Sequence, residues 1–262
     1  MSTLSYAVTD SATMLRRNLR HMLRYPGTII TSLGVPIILL LLFVGVFGGA
    51  LSAGLGGASG GGDYINYLVP GIIMMTVGYG GSTTALGVNK DMTEGIIARF
   101  RTMAISRASV LTGHVLGAMI RTIASIGLVI GVALLVGFRP AADPVGWIAV
   151  LGVLVLFVLA LTWLAVAVGL AASSPEGTNL FILVVQVLPF LSSAFVPPGS
   201  MSGVVRWFAG NEPFTPIIDT LRGLLMGTPV GTSAILAVIW CVGLALAGYL
   251  WARALFKRDP TR

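Results

Sequence analysis

Lys90-Asp91-Met92-Thr93-Glu94-Gly95-Ile96-Ile97-Ala98-Arg99-Phe100-Arg101-Thr102-Met103-Ala104-Ile105-Ser106-Arg107 is a charged island in a chain that is otherwise apolar enough to lie in lipid. It is the soluble handle of a membrane-embedded protein. At helical spacing Met92, Ile96, Phe100 and Met103 share one face, while Lys90, Asp91, Glu94 and Arg101 lie elsewhere around it. That pattern predicts a short amphipathic helix over about residues 90–103, able to dock its apolar stripe. A solvated loop that merely carries topogenic charge is the competing reading.

Composition sets the class around this handle. The chain of 262 residues is 56% hydrophobic and 10% charged, against roughly a quarter charged in a soluble domain. With a mean hydropathy of +0.95, it reads as an all-α integral membrane protein. The single cysteine, Cys241, lies in an apolar run and excludes an intrachain disulfide or a cysteine metal cluster. The net charge of +7 comes from arginines beside apolar runs, with no nucleic-acid motif. Anionic headgroups of the lipid bilayer, and not nucleic acid, explain it.

Upstream, Leu4, Val8, Ala12, Leu15, Leu19 and Met22 fall on one helical face, with Arg16, Arg17, Arg20 and Arg24 on another. Residues 4–25 are thus expected as an interfacial helix whose arginines meet the membrane surface, ended by Tyr25-Pro26-Gly27. A signal peptide fits poorly, because the uncharged run after Arg24 is much longer than a signal core. Charged residues then divide the rest into six apolar intervals, predicting six spans at about 28–48, 64–88, 112–138, 146–172, 177–196 and 230–255. The third uncharged interval, Thr122 to Phe138, has only 17 residues. Arg121 must snorkel to the surface or face a polar cavity between helices, and the sequence favours snorkelling.

Of the 16 Lys+Arg, 12 fall in the N-terminal segment, the handle and the tail from Arg253 to Arg262. The positive-inside rule therefore places both termini and the handle in the cytoplasm of a multi-pass cell-membrane protein. On the opposite side, Gly48 to Gly62 contains eight glycines and reads as a flexible loop. Residues 200–226 are apolar yet rich in proline and glycine. Such a stretch suits a re-entrant pair of short helices dipping into the outer leaflet, or an extracellular lid lying on the headgroups.

Catalytic chemistry is hard to find. His21 and His114 are far apart, and no acidic residue falls at mid-membrane. Glu212 and Asp219 are the nearest approach to a carboxylate pair, and they are weak evidence for metal. Both lysines lack a preceding glycine, so there is no phosphate-binding loop and no ATPase of the chain's own. GxxxG spacings at Gly113/Gly117, Gly127/Gly131 and Gly223/Gly227 hint weakly at close helix packing. A membrane enzyme and a gradient-driven transporter are both disfavoured by the missing intramembrane carboxylates.

Several stretches, in this order, resemble the membrane-spanning subunits of ABC-2 type exporters, particularly the daunorubicin-resistance-type permeases of actinobacteria. They are Tyr64-Ile65-Asn66-Tyr67-Leu68-Val69-Pro70-Gly71-Ile72, the handle with its Glu94-Gly95 and Arg99-Phe100-Arg101-Thr102 core, and Gly137-Phe138-Arg139-Pro140. They continue with Leu191-Ser192-Ser193-Ala194-Phe195-Val196-Pro197 and Asn211-Glu212-Pro213-Phe214-Thr215 through Arg222-Gly223. The resemblance makes the handle a coupling helix in the cleft of a separate ATP-binding subunit, with Asp91, Glu94, Gly95, Arg99, Phe100, Arg101 and Arg107 docking. It implies two copies of that subunit, carrying ATP and magnesium, and a second copy of this permease or a related one; this chain itself is no enzyme. It also implies export of an amphipathic or lipophilic substrate: a drug or antibiotic, or alternatively a lipid, glycolipid, glycan or secondary metabolite. The second and fifth spans would line the path, with Tyr67, Met74, Phe195 and Phe214 on it. Ala104 and Ser202 stand where the family commonly has proline, which leaves the ends of the coupling helix and of the outer helices open.

Overall fold

The computed structural model describes residues 26–49, 62–94 and 107–257. The expected interfacial helix with Arg16, Arg17, Arg20 and Arg24 lies outside them, as do most of the glycine-rich loop and handle residues 95–106, including Gly95, Arg99, Phe100 and Arg101. The described elements are helical: α1 (Pro26–Gly45), α2 (Gly62–Thr93), α3 (Arg107–Val136), α4 (Pro144–Ala171), α5 (Asn179–Val187), α6 (Gly203–Asn211), α7 (Phe214–Met226) and α8 (Ser233–Lys257). Single 3₁₀ turns at Pro175–Thr178 and Leu188–Leu191 flank α5, and another at Pro198–Ser200 precedes α6.

Among the described residues three stretches are long and apolar enough to cross a membrane: Val115–Val136, Pro144–Ala171 and Ser233–Phe256. Gly34–Gly45 and Pro175–Leu191 are shorter apolar helices. The longest helix, α2, is the central one, packed by α1, α3, α4, α5 and α7. Four of its serine and threonine hydroxyls are satisfied within the helix: Thr76 donates to Ile72 O, Ser82 to Gly78 O, and Thr83 and Thr84 to Gly80 O. Tyr64, Ile65, Leu68, Val69, Ile72, Ile73 and Met74 are buried with Phe138, Phe157, Ile217 and Ile218 of the surrounding elements.

Close helix approach depends on particular glycines. A Cβ on Gly248 of α8 would lie 2.6 Å from Leu164 N of α4, and one on Gly169 of α4 would lie 2.6 Å from Ala85 O of α2. Gly71 of α2 would strike Ala194, and Gly80 would strike Thr122 of α3. Among the described residues neither Gly127 nor Gly131 has a neighbour within 4 Å of such a Cβ, so that GxxxG pair makes no close backbone approach there.

One sequence expectation is corrected and one boundary shifts. Arg121 does not snorkel: its Nη2 donates to Thr83 Oγ1 (3.2 Å) and Thr84 Oγ1 (3.1 Å), between α3 and α2. The two hydroxyls donate to Gly80 O, which leaves their lone pairs for the guanidinium. α3 runs for 30 residues, with Arg121 near its middle. α2 continues through Thr93, past the expected end of the second span at about residue 88 and into the first residues of the handle. Over this last turn Lys90 pairs with Glu94 at i,i+4 (3.7 Å), and Glu94 N donates to Lys90 O.

Candidate functional site

The two ends of α2 carry the residues of interest. At the Lys90 end, Asn89 is buried, and its amide donates to Gly169 O (3.2 Å) and Ala172 O (2.6 Å). Those carbonyls belong to the C-terminal turn of α4, which no further helical N–H satisfies. Asn89 therefore clamps the foot of α4 to α2 at the point where the handle begins. Asp91 and Glu94 stand just beyond it, on the last turn of α2 and the turn that follows. Arg107 opens α3, and its side chain lies outside the described residues, as does the rest of the docking set.

At the other end, Arg222 of α7 gathers three elements. Its Nη1 meets Asp219 Oδ1 at 2.7 Å, an i,i+3 pair, and Nη2 donates to Ser193 O at 2.7 Å. Nε and Nη2 both reach Tyr67 O at 3.3 Å, and the guanidinium carbon lies 3.7 Å from the centroid of the Tyr67 ring. Tyr67 Oη donates to Ser193 O (2.8 Å), and Ser193 Oγ donates to Asp219 Oδ1 (2.7 Å). One half-buried ion pair thus fastens α2, the turn after α5 and α7 together. Charge-assisted bonds of this kind are about twice as strong as neutral ones.

The same turn carries an aromatic stack. Phe195 lies between Phe43 of α1 (centroids 4.6 Å apart) and Phe190 (4.9 Å), and Phe43 also touches Phe47 (5.7 Å). Phe47 and Phe190 are exposed while Phe195 is buried. Of the residues assigned to a path, Tyr67 and Phe195 belong to these two clusters. Met74 is wholly buried in the core, and Phe214 packs edge-on against Phe157 at 5.4 Å. Neither of the latter two reaches a surface of the single chain.

Glu212, between α6 and α7, is buried and accepts from Phe214 N (2.7 Å) and Thr215 N, two of the free donors opening α7. Burial pushes its carboxyl up to about 7; the two backbone bonds pull it partly back, and Asp219 adds to the rise. Asp219 is committed to Arg222 and Ser193, so the two carboxylates have separate structural duties. The Asp219/Arg222 pair was legible at i,i+3 in the sequence, whereas Asn89 and Ser193 carry no local signal for their distant partners.

The family description "ABC-2 type transporter" matches residues 10–226. The chain is 30% identical over 248 residues to the "Daunorubicin resistance ABC transporter permease protein DrrB1" of Streptomyces coeruleorubidus, covering 92% of this chain and 80% of that one. It is 26% identical over 237 residues to the "Probable doxorubicin resistance ABC transporter permease protein DrrC" of Mycobacterium tuberculosis, covering 89% of this chain and 84% of the relative.

Proposed function

Because the chain belongs to the ABC-2 type transporter family, we propose that it is the membrane-spanning permease subunit of an ATP-driven exporter of amphipathic or lipophilic compounds. The match to a daunorubicin-resistance permease over 92% of the chain carries this reading. In it α1, α2, α3, α4, the Pro175–Leu191 segment and α8 are the six spans, with both termini and the handle in the cytoplasm of a cell-membrane protein. The single transmembrane domain pairs with a second copy or a related permease, and ATP with magnesium is bound and hydrolysed by two partner subunits. α6 and α7 form the outer re-entrant segment.

The handle rests its Met92, Ile96, Phe100 and Met103 stripe in the partner's cleft, with Glu94, Arg99 and Arg101 fixing register. Asn89 couples the handle to α4 through the clamp on Gly169 and Ala172. Purification in mild detergent tests this directly: an ATP-binding subunit accompanies the wild-type chain, and Phe100→Asp releases it and uncouples its ATPase from cargo. Recovery of the chain with no ATPase would sink the exporter reading.

A further inference from the structure

α2 is enclosed from Tyr64 to Gly78 apart from the half-buried Asn66 and Tyr67, then opens along one strip. Gly78 faces Val185 of α5, Gly81 faces Leu161 of α4 and Gly80 faces Thr122 of α3. On the remaining side Tyr79, Thr83, Leu86, Gly87 and Lys90 recur at helical spacing, and the last three are exposed. A Cβ on Gly87 would meet nothing within 4 Å, so the strip has an open floor there.

Arg121 closes the inner end of this strip. Its Nη2 makes the two threonine bonds, while Nε and Nη1 have no acceptor among the described residues. The ion pairs seen among those residues are Lys90–Glu94 and Asp219–Arg222, so neither supplies it with a counter-charge. Two neutral hydroxyls orient the guanidinium, and no described residue supplies a counter-charge at membrane depth, where an unmatched charge is expensive. The geometry that best satisfies the unused fork is a phosphate or carboxylate. Leu86 and Ile120, both exposed, border the site with apolar surface suited to acyl chains.

We propose that Arg121 holds the phosphate of an anionic membrane lipid that enters from the Lys90 end of the strip, with its tails against Leu86 and Ile120. This deepens the permease reading by naming a cargo class, and it rests on that reading only for the direction of travel. Binding itself does not need the ATPase.

The experiment places a fluorescent label on Gly87→Cys in the full chain, with buried Cys241 left unreactive. The labelled protein is reconstituted in phosphatidylcholine vesicles, and quenching by acyl-brominated phosphatidylglycerol is compared with quenching by acyl-brominated phosphatidylcholine. The anionic lipid is expected to quench at a roughly tenfold lower mole fraction. Arg121→Gln, which keeps an amide donor for the threonines, removes that preference, and Arg121→Lys retains part of it. Equal quenching by both lipids, or a preference that survives Arg121→Gln, overturns the proposal. So does quenching by a brominated fatty acid added from water with none by the lipid. If Arg121→Gln fails to assemble, Lys90→Ala decides: a preference that persists supports Arg121, and one that vanishes assigns it to Lys90. Absence of a co-purifying ATPase would remove the permease reading and leave the quenching result standing.

Discussion

Glu212 shows how one residue sets a pH window. Its carboxyl is raised from 4.5 to about 7 by burial, so the folded chain holds the proton where the unfolded chain has released it. Its contribution to stability is therefore full below about pH 4.5, declines as pH rises and is gone above about pH 7. Melting of the detergent-solubilised protein is expected at a lower temperature at pH 8 than at pH 5, and Glu212→Gln should flatten that difference. The substitution also removes an acceptor from one of the two helix-opening N–H groups, at a cost of about 1–3 kcal/mol. A wild-type profile no steeper than that of the variant would show that the carboxyl is not the titrating group.

At the scale of elements, α8 is held to α4 by the close approach at Gly248. A Cβ there would lie 2.6 Å from backbone Leu164 N and 2.8 Å from Trp163 C, so the two helices must separate to admit it. Gly248→Ala is expected to destabilise by about 1–3 kcal/mol. Gly243→Ala, on the same helix with nothing within 4 Å, is expected to be neutral or to stabilise by a few tenths of a kcal/mol up to about 1. A matched pair of thermal melts reads the difference. The apolar runs of α4 and α8 were plain in the sequence, because a lipid-facing helix declares itself by composition. The contacts between helices were less so: of the glycine pairs the spacing pointed to, a Cβ on Gly127 or Gly131 would meet nothing within 4 Å among the described residues, while one on Gly223 would press on Val230 and Thr228. Arg121 was misjudged for a related reason, since the hydroxyls that hold it lie 37 and 38 residues away on α2. The end of the second helix moved by one turn, because a charge run marks where solvent begins and says little about where helical hydrogen bonding stops.

For the whole molecule, the decisive quantity is which side each end occupies. Cys241 is the chain's single cysteine and is buried, so introduced cysteines report without interference. The Lys90 side chain is 70% exposed at the handle and Val204 of α6 is 83% exposed. The six-span arrangement puts them on opposite faces. An impermeant maleimide should label Val204→Cys in intact cells, and Lys90→Cys only after permeabilisation. Labelling of both from one face would break the assignment of α6 and α7 as an outer re-entrant segment. Trp207, 69% exposed one turn from Val204, suits the headgroup level expected of such a helix.

The continuity of α2 has a mechanical consequence. From Lys90 to Tyr67 it is helical over roughly 35 Å, with Pro70 leaving one backbone bond unmade close to the Tyr67 end, and it is clamped by Asn89 at one end and by Arg222 at the other. A tilt of about five degrees about the handle would swing the Tyr67 end by about 3 Å, as much as a whole hydrogen-bond length. The Tyr67 Oη–Ser193 O bond, at 2.8 Å, and the Arg222 bonds to Tyr67 O, at 3.3 Å, could not survive that arc. A small torque delivered at one membrane face would then be amplified into a broken fastening at the other, with no need for a chain of intermediate side-chain signals.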